Sequence, residues 1–236
     1  AELLSRGWQL RVSVVSSAAA RAYPQHPALE LHVGALGDQD AVQRTLSQWP
    51  CRWVVDAAHP FAKSIHPAIA KACRALNQPW LRLQRPMLAS HHATLLPQLE
   101  ALADLPLEHD SLLLALGARQ LALALGYSRA REHAVRLLPS ASALGQALRL
   151  GLPAERIACL RPQTNLTLEG SVEAGLCRRW GITAVLARQS GGPPERQWHQ
   201  ICQAMGLKLL LLARPESLDP SALEMQPLLA RLGWPA

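Results

Sequence analysis

The sequence is short of several residue types and patterns, and each shortage argues against a class of protein. Only one Phe and two Tyr occur in 236 residues, without a single-strand-binding motif, so recognition of nucleic acid by base stacking is poorly supported. The five cysteines are an odd number with no Cys-x-x-Cys pair, which argues against a disulfide framework and a zinc site. We therefore predict no nucleic-acid partner and no metal.

Long hydrophobic runs and targeting signals are also lacking. The most leucine-rich stretch, residues 207–214, is short and carries charge at Lys208 and Arg214, whereas a membrane span needs roughly 18 apolar residues. The first eight residues contain neither a basic start nor the apolar core of an export signal. We therefore expect a cytoplasmic monomer with no membrane partner.

Signatures of hydrolysis are missing as well. The sequence shows no serine nucleophile elbow and no pair of carboxylates that recurs at turn ends. Most histidines lack the spacing of metal ligands, and His66, which precedes Pro67, is expected to have a core or surface role. The histidines to which we assign no chemistry are His26, His32, His91, His92, His109, His133 and His199.

What the sequence does contain is apolar material and positive charge. Hydrophobic residues make up 49% of the chain, enough to bury a sizeable core. The formal net charge is +7 and comes mostly from arginines spread along the chain. This pattern favours a small polyanion as the partner.

Strand-like and helical stretches alternate along the chain, which predicts an α/β fold with parallel sheets covered by helices on both faces. Strands are predicted at residues 10–16, 29–33, 52–56, 80–83, 112–116, 132–138, 156–160, 182–187 and 207–213. This alternation breaks between Arg85-Pro86 and Asp110. Only one helical segment, near residues 95–102, is predicted in that stretch.

We therefore predict two Rossmann-like lobes with a ligand cleft between them. The N-terminal lobe covers residues 1–86, an interlobe segment covers 87–110, and the C-terminal lobe covers 111–236. Residues 1–6 have the pattern of the end of a helix stopped by Gly7. A nucleotide-binding lobe begins with a strand and a glycine-rich turn, so we expect both to precede Ala1.

The stretch that organises the sequence is residues 54–62, Val-Val-Asp-Ala-Ala-His-Pro-Phe-Ala. The valines predict the end of a buried strand, and Pro60 predicts the first position of a helix. Asp56 and His59 are thus expected in a strand-to-helix turn at the carboxyl edge of a parallel sheet, where ligands and anions bind. They could bind, orient or protonate a ligand, or only cap the helix.

Other predicted strand ends carry arginine or glycine. Arg82 and Arg85 are expected on one side of a strand end, where they could grip carboxylates. Gly117 lies at the turn after a predicted strand and permits close approach of a ligand, and Arg119 lies two residues further on. Arg188 precedes a small flexible turn and is available to an anion. Each of these turns could equally be a plain connection.

At their spacing, these motifs closely resemble the precorrin-6A reductase (cobalt-precorrin-6A reductase) family of cobalamin biosynthesis, over essentially the whole chain. The resemblance rests on residues 34–36, 38, 55–62, 72–76, 79–82, 85–86, 116–119, 136–139, 152–157, 190–192 and 214–215.

The resemblance implies an oxidoreductase with two Rossmann-like lobes that uses NADPH, with NADH as the alternative, to reduce one carbon–carbon double bond of precorrin-6A, giving precorrin-6B. It implies His59 and Asp56 as catalytic residues, and cofactor binding by Ser16, Gly34, Asp56 and Ala57. The substrate's carboxylates need cationic anchors. The implied substrate-binding residues are Pro60, Phe61, Arg82, Arg85, Gly117, Arg119, Arg188, Ser190, Gly191 and Gly192.

The sequence departs from the family pattern at three places. Ala58 stands where threonine is common, residues 161–163 replace a Gly-Pro-Phe turn, and Arg188 replaces a lysine. Two alternatives therefore stay open at this stage. One is a non-catalytic protein that binds a tetrapyrrole or another anion, and the other is an NAD(P)-dependent reductase of a different large anionic substrate.

Overall fold

The computed structural model describes residues 2–89, 91–161, 171–215 and 222–235. The strands are β1 Leu10–Val14, β2 Leu29–Val33, β3 Val54–Asp56, β4 Trp80–Arg82, β5 Ala93–Leu96, β6 Ser111–Leu114, β7 Glu132–Leu137, β8 Ile157–Cys159, β9 Ala184–Arg188 and β10 Lys208–Leu212. The helices are α1 Glu2–Ser5, α2 Ser17–Ala20, α3 Gln39–Gln48, α4 Ile65–Ala75, α5 Leu121–Tyr127, α6 Ala141–Arg149, α7 Val172–Arg179, α8 Pro193–Met205 and α9 Met225–Leu232. The α/β class is confirmed.

The chain forms two compact units. Unit 1 consists of Ala1–Arg85 together with Pro215–Ala236, and unit 2 consists of Pro86–Arg214. The first boundary falls next to the predicted one, but residues 87–110 belong to unit 2 instead of forming a separate interlobe segment, and the last 22 positions group with unit 1 instead of the predicted C-terminal lobe. Two contacts explain this grouping: Leu223 forms a parallel bridge with Leu83, and the indole Nε1–H of Trp8 donates to the carbonyl of Gly233 at 3.3 Å.

Unit 1 contains two parallel pairs of strands. β1 pairs with β2 from Leu10 opposite Leu29, and β3 pairs with β4 so that Asp56 lies opposite Arg82. Within the described residues, β1 and β3 are not hydrogen-bonded to each other. Each of these two strands therefore has one edge without a strand partner in the described part of the chain, and the strand expected before Ala1 stays a prediction.

Helices α3 and α4 form the apolar core of unit 1. The Asp38 carboxylate caps α3 by accepting the Ala41 N–H at 3.0 Å, as a short acidic residue at a helix start does. Val42 on α3 and Ile69 and Cys73 on α4 then bury apolar faces at helical spacing. This packing fixes the helix that follows the motif of residues 54–62.

Unit 2 is built on one six-stranded parallel sheet in the order β5-β10-β9-β6-β7-β8. Its central strands are apolar on both faces: all of β6 is buried, and Leu112, Leu113 and Leu114 are each 0% exposed. A parallel strand covered by helices on both sides requires such a continuous apolar run. The carboxyl ends of β6 and β9, which are neighbours, therefore open at the same edge of the sheet.

Two local predictions were wrong. The helix predicted from Pro60 begins five residues later, at Ile65, because residues 59–63 form turns closed by the Ala62 N–H bond to the His59 carbonyl. Pro67 then lies in the first turn of α4, where its missing N–H costs no helical hydrogen bond.

The predicted helix at residues 95–102 is instead a strand and a 3-10 helix. β5 joins the sheet beside β10, and Leu99–Asp104 follows as the 3-10 helix. The alternation of the short Ala-Thr-Leu-Leu stretch suits an edge strand, and the pairing partner lies over a hundred residues away. The departure at residues 162–163 lies outside the described residues.

Candidate functional site

The carboxylate of Asp56 closes β3 and is almost completely buried, with 1% of the residue exposed. Its Oδ1 accepts the N–H of Ala58 at 3.1 Å. Its Oδ2 lies 2.6 Å from Nδ1 of His66, on the first turn of α4. Both oxygens of the predicted catalytic carboxylate thus bind groups of the chain itself, and Asp56 is placed to hold the turn in shape.

The turn that carries His59 is closed by two hydrogen bonds. The Ala62 N–H donates to the His59 carbonyl at 2.7 Å, and the Phe61 N–H donates to His59 Nδ1 at 3.2 Å. The imidazole and the Phe61 ring lie with their centroids 5.8 Å apart. Because Nδ1 accepts a hydrogen bond, the neutral ring carries its proton on Nε2. The donor of the His59 ring in this tautomer is therefore its Nε2–H.

His66 is a residue whose importance the sequence did not reveal. It is 8% exposed, so of the expected core or surface role the structure shows the core one, and both ring nitrogens are engaged. Nδ1 bonds to Asp56, and Nε2 lies 3.1 Å from the carbonyl of His59. Its place in the first helical turn after the motif was the available signal, since a residue there can reach back to the preceding strand end.

Arg82 ends β4 in register with Asp56 and is half-buried. Its strand is held on both sides, because the Leu83 N–H donates to the Asp56 carbonyl at 3.0 Å and the Leu223 N–H donates to the Arg82 carbonyl at 2.8 Å. Arg85 lies three positions further on, beyond the end of the strand, so the pleat does not place it on the same side as Arg82. The expectation that strand geometry aligns the two arginines was therefore wrong.

Two more of the predicted residues of unit 1 lie at strand ends. Ser16 follows β1 and caps α2, its hydroxyl oxygen accepting the Ala19 N–H at 3.3 Å. Gly34 follows β2, and its N–H donates to the carbonyl of Val14 at 2.8 Å. Ser16 and Gly34 thus sit at the carboxyl edge of one strand pair. Ala57 is exposed, while Pro60 and Phe61 are half-buried.

In unit 2 the structure brings Gly117 and Arg188 together. Gly117 follows β6 with φ of 87° and ψ of 159°, a conformation that other residues rarely adopt. A Cβ added there would lie 4.0 Å from a terminal nitrogen of Arg188, which closes the neighbouring strand β9. Burial lowers the pKa of Arg188, although the guanidinium stays charged at neutral pH.

Arg119 is more exposed than these two half-buried residues. It is in the 3-10 helix Ala118–Gln120 and is exposed. The Gln120 N–H donates to the Gly117 carbonyl at 3.3 Å, so the short helix is tied to the glycine turn. Arg119 therefore reaches solvent, whereas a terminal nitrogen of Arg188 lies close to Gly117.

The turn formed by Ser190, Gly191 and Gly192 is buried and is held by Glu195, a residue not singled out from the sequence. Gly191 has φ of 67°, and its N–H donates to Glu195 Oε2 at 2.6 Å. Glu195 is 1% exposed, and its other oxygen lies 3.6 Å from Nε2 of His199. Its position three residues after the helix N-cap is the signal that could have identified it.

Arg214 ties the carboxyl ends of β9 and β10 together. Its N–H donates to the side-chain oxygen of Gln189 at 3.1 Å, and its guanidinium donates to the carbonyls of Gln189 at 3.4 Å and Pro86 at 3.2 Å. The arginine before Pro215 therefore has a structural role at the edge where Arg188 and Ser190 lie.

Two further observations concern the described residues as a whole. No three His, Cys, Asp or Glu side chains among them cluster as metal ligands would. None of the helices in the described ranges is long and apolar enough to cross a bilayer. Two surface cavities of about 310 and 430 Å³ in unit 2 are lined by none of the predicted site residues.

Comparison with known proteins gives one consistent result. Residues 1–232 match the family model described as "Precorrin-6x reductase CbiJ/CobK". A cobalt-precorrin-6A reductase of Synechocystis sp. is 32% identical over 92% of this chain and 83% of its own length. A precorrin-6A reductase of Mycobacterium tuberculosis is 28% identical over 86% of this chain and 80% of its own.

A solved structure, "CobK precorrin-6A reductase", is similar in fold. It superimposes with a TM-score of 0.77 over 99% of this chain and 91% of that chain, at 21% sequence identity. At that identity the likeness shows a shared fold.

Proposed function

The chain belongs to the precorrin-6x reductase family, and from this premise we propose that it reduces one carbon–carbon double bond of precorrin-6A, or of the cobalt-containing analogue, with a reduced nicotinamide. The observation that carries the proposal is the family match over residues 1–232. Relatives named for each of the two substrates are similar to this chain over most of its length.

The cofactor proposed is NADPH, with NADH as the second choice, and it supplies the hydride when bound. Ser16 and Gly34 are the residues of this chain that would hold it. They lie at the carboxyl edge of parallel strands, where dinucleotides bind in sheets of this class. Ser16 Oγ accepts the Ala19 N–H, so its hydrogen can still be donated, and this donor suits a ribose or phosphate oxygen. The fit is therefore chemically reasonable.

His59 is proposed to touch the substrate. The turn geometry presents the neutral ring with its proton on Nε2, because Nδ1 accepts the Phe61 N–H. In this tautomer Nε2–H is the ring's donor, whereas an imidazolium would set an Nδ1–H against the Phe61 N–H. We therefore propose His59 as an orienting donor, and the two variants below separate this role from that of a proton source.

Arginines are proposed to anchor the carboxylates of the macrocycle. Arg82 and Arg85 supply positive charge in unit 1, and Arg119 and Arg188 supply it in unit 2. A hydrogen bond to a charged group is worth about 1.5–3 kcal/mol when it is shielded from water. Burial lowers the pKa of Arg188, so this half-buried guanidinium is partly shielded from water. Salt should weaken binding through the exposed Arg119 more than through Arg188.

Two His59 variants test the proposed role. His59→Gln keeps a donor near the position of Nε2, and His59→Asn removes it. An orienting donor predicts that His59→Gln retains most of the turnover while His59→Asn loses about 10–100-fold, with the affinity for NADPH unchanged in both.

The measurement is the rate of precorrin-6A and cobalt-precorrin-6A consumption under NADPH, with exposed His109→Asn as the control. Equal losses in both His59 variants would assign proton donation to the ring. Full activity in His59→Asn would remove His59 from the mechanism.

A further inference from the structure

We propose that His66 is a positioning residue that holds the turn of residues 56–59 in place by bonding to both of its ends, Asp56 and His59. This inference rests on the proposed function, since it assumes that the turn carrying His59 acts on the substrate. The observation behind it is the pair of contacts made by one buried ring: Nδ1 to the Asp56 carboxylate at 2.6 Å, and Nε2 to the His59 carbonyl at 3.1 Å.

The hydrogen-bond partners restrict the protons of this pair. The His59 carbonyl can only accept, so Nε2 of His66 must carry a hydrogen. The 2.6 Å contact between Nδ1 and Asp56 needs one more proton between the two atoms. Whichever atom holds that proton, the Asp56–His66 pair has no net charge, and the buried carboxylate is neutralised inside the protein.

The remaining oxygen of Asp56 completes the arrangement. Oδ1 accepts the Ala58 N–H at 3.1 Å, so the carboxylate binds the first part of the turn. His66 binds the carbonyl of His59, the last residue of the turn. The turn from residue 56 to residue 59 is thus held at both ends from the first turn of α4. A helix anchored in the apolar core of unit 1 is a rigid support for such a bridge.

The bridge accounts for why Asp56 is buried although it lies at the edge of the sheet. With both oxygens engaged and 1% exposure, Asp56 has no surface to offer a ligand in this arrangement. Asp56 and His66 then act together through His59, and neither needs to contact the reacting atoms. Misplacing a catalytic group by about 1 Å can cost about 100-fold in rate, so loss of the bridge should appear in turnover.

Substitutions can remove the two contacts of His66 one at a time. The amide nitrogen of Asn lies near the position of Nδ1 and that of Gln lies near Nε2. His66→Asn therefore keeps the contact with Asp56, His66→Gln keeps the contact with His59, and His66→Ala removes both. Ile69→Val is the matched control, since it loosens the same helix in the core without removing a polar contact.

We expect His66→Ala to lower kcat about 10–100-fold with an unchanged KM for NADPH, and we expect Ile69→Val to keep the wild-type kcat. His66→Gln should recover at least several-fold over His66→Ala, because it restores the bond to the His59 carbonyl. Wild-type kcat in folded His66→Ala, or equal kcat in the Gln and Ala variants, would overturn the proposal.

Amide hydrogen exchange tests the bridge without any turnover. The Ala58 and Ala62 N–H groups bond to Asp56 and His59 respectively, so both should exchange at least tenfold faster in His66→Ala than in Ile69→Val. Unchanged protection in a folded His66→Ala would refute the bridge. If wild type exchanges as expected but reduces no substrate, the proposed function fails while the bridge stands.

Discussion

Replacing Gly117 by alanine tests the geometry of the turn after β6. The residue has φ of 87° and ψ of 159°, a region that is essentially reserved for glycine and costs other residues about 1–3 kcal/mol. The added Cβ would meet the Arg188 guanidinium at 4.0 Å, which is an ordinary contact. The strain therefore comes from the backbone and not from a clash.

The expected net effect follows from two opposing contributions. Alanine also restricts the unfolded chain, which returns about 0.4–1 kcal/mol, so the midpoints of the two ranges give a net destabilisation of about 1.3 kcal/mol for Gly117→Ala. Relief of this strain would move the backbone at Gly117, which lies next to the Arg188 guanidinium. We therefore also expect weaker binding of the tetrapyrrole.

Urea unfolding of Gly117→Ala beside Gly175→Ala measures this difference. Gly175 lies inside α7 with nothing within 4 Å of an added Cβ, so alanine there should stabilise by up to about 1 kcal/mol. Opposite signs for the two variants support the account. Gly117→Ala with a free energy of unfolding equal to or above that of wild type would refute the reasoning.

Two further predictions concern residues that support unit 2. Burial alone would raise the pKa of Asp110, but hydrogen bonds from Lys208 and Thr183 outweigh it, and the pKa lies below the ordinary 3.8. The ion pair therefore stabilises the fold above pH 3.8, and this stabilisation is lost as the pH falls through the lowered pKa. Because the lysine is exposed, Lys208→Met should lower the free energy of unfolding in urea by less than about 1 kcal/mol near neutral pH, and this loss should vanish in acid. A loss that stays constant with pH would contradict this. Glu195→Ala leaves the buried Gly191 N–H unpaired and should cost about 1–3 kcal/mol with faster exchange of that amide, whereas wild-type exchange would show that Glu195 does not hold the turn.

Much of the fold could be predicted from local patterns because the physical causes are local. β2 was predicted with its observed bounds, since apolar residues alternate along it. A helix over residues 38–49 is predicted from the apolar face that starts at Val42, and α3 is observed at Gln39–Gln48, because Asp38 caps it. The central strands of the six-stranded sheet were found because buried parallel strands are continuously apolar.

Two of the wrong predictions share a different cause, which is long-range contact. The strand nature of β5 depends on pairing with β10, and the grouping of the last residues with unit 1 depends on the contact of Leu223 with Leu83. Such contacts join positions far apart in the sequence, and no local pattern encodes them. The start of α4 was misplaced because Pro60 and Pro67 both suit a first helical turn, and only the hydrogen bonds decide between them.

The candidate site was predictable in position more than in role. The motif around His59 was found from the strand ending before it and the helix after it. The role of Asp56 could not be read from its type, because it depends on His66, ten residues further on. Glu195 was missed for a similar reason, since its partner is a backbone N–H in a glycine turn.

The most direct test of the central claim is the stoichiometry of reduction by the purified protein. Precorrin-6A and cobalt-precorrin-6A would each be incubated with NADPH, and the loss of reduced nicotinamide would be measured beside the gain of reduced macrocycle. The account predicts that one NADPH is consumed per double bond reduced for at least one of the two substrates. Binding of either macrocycle with no consumption of NADPH or NADH would contradict it.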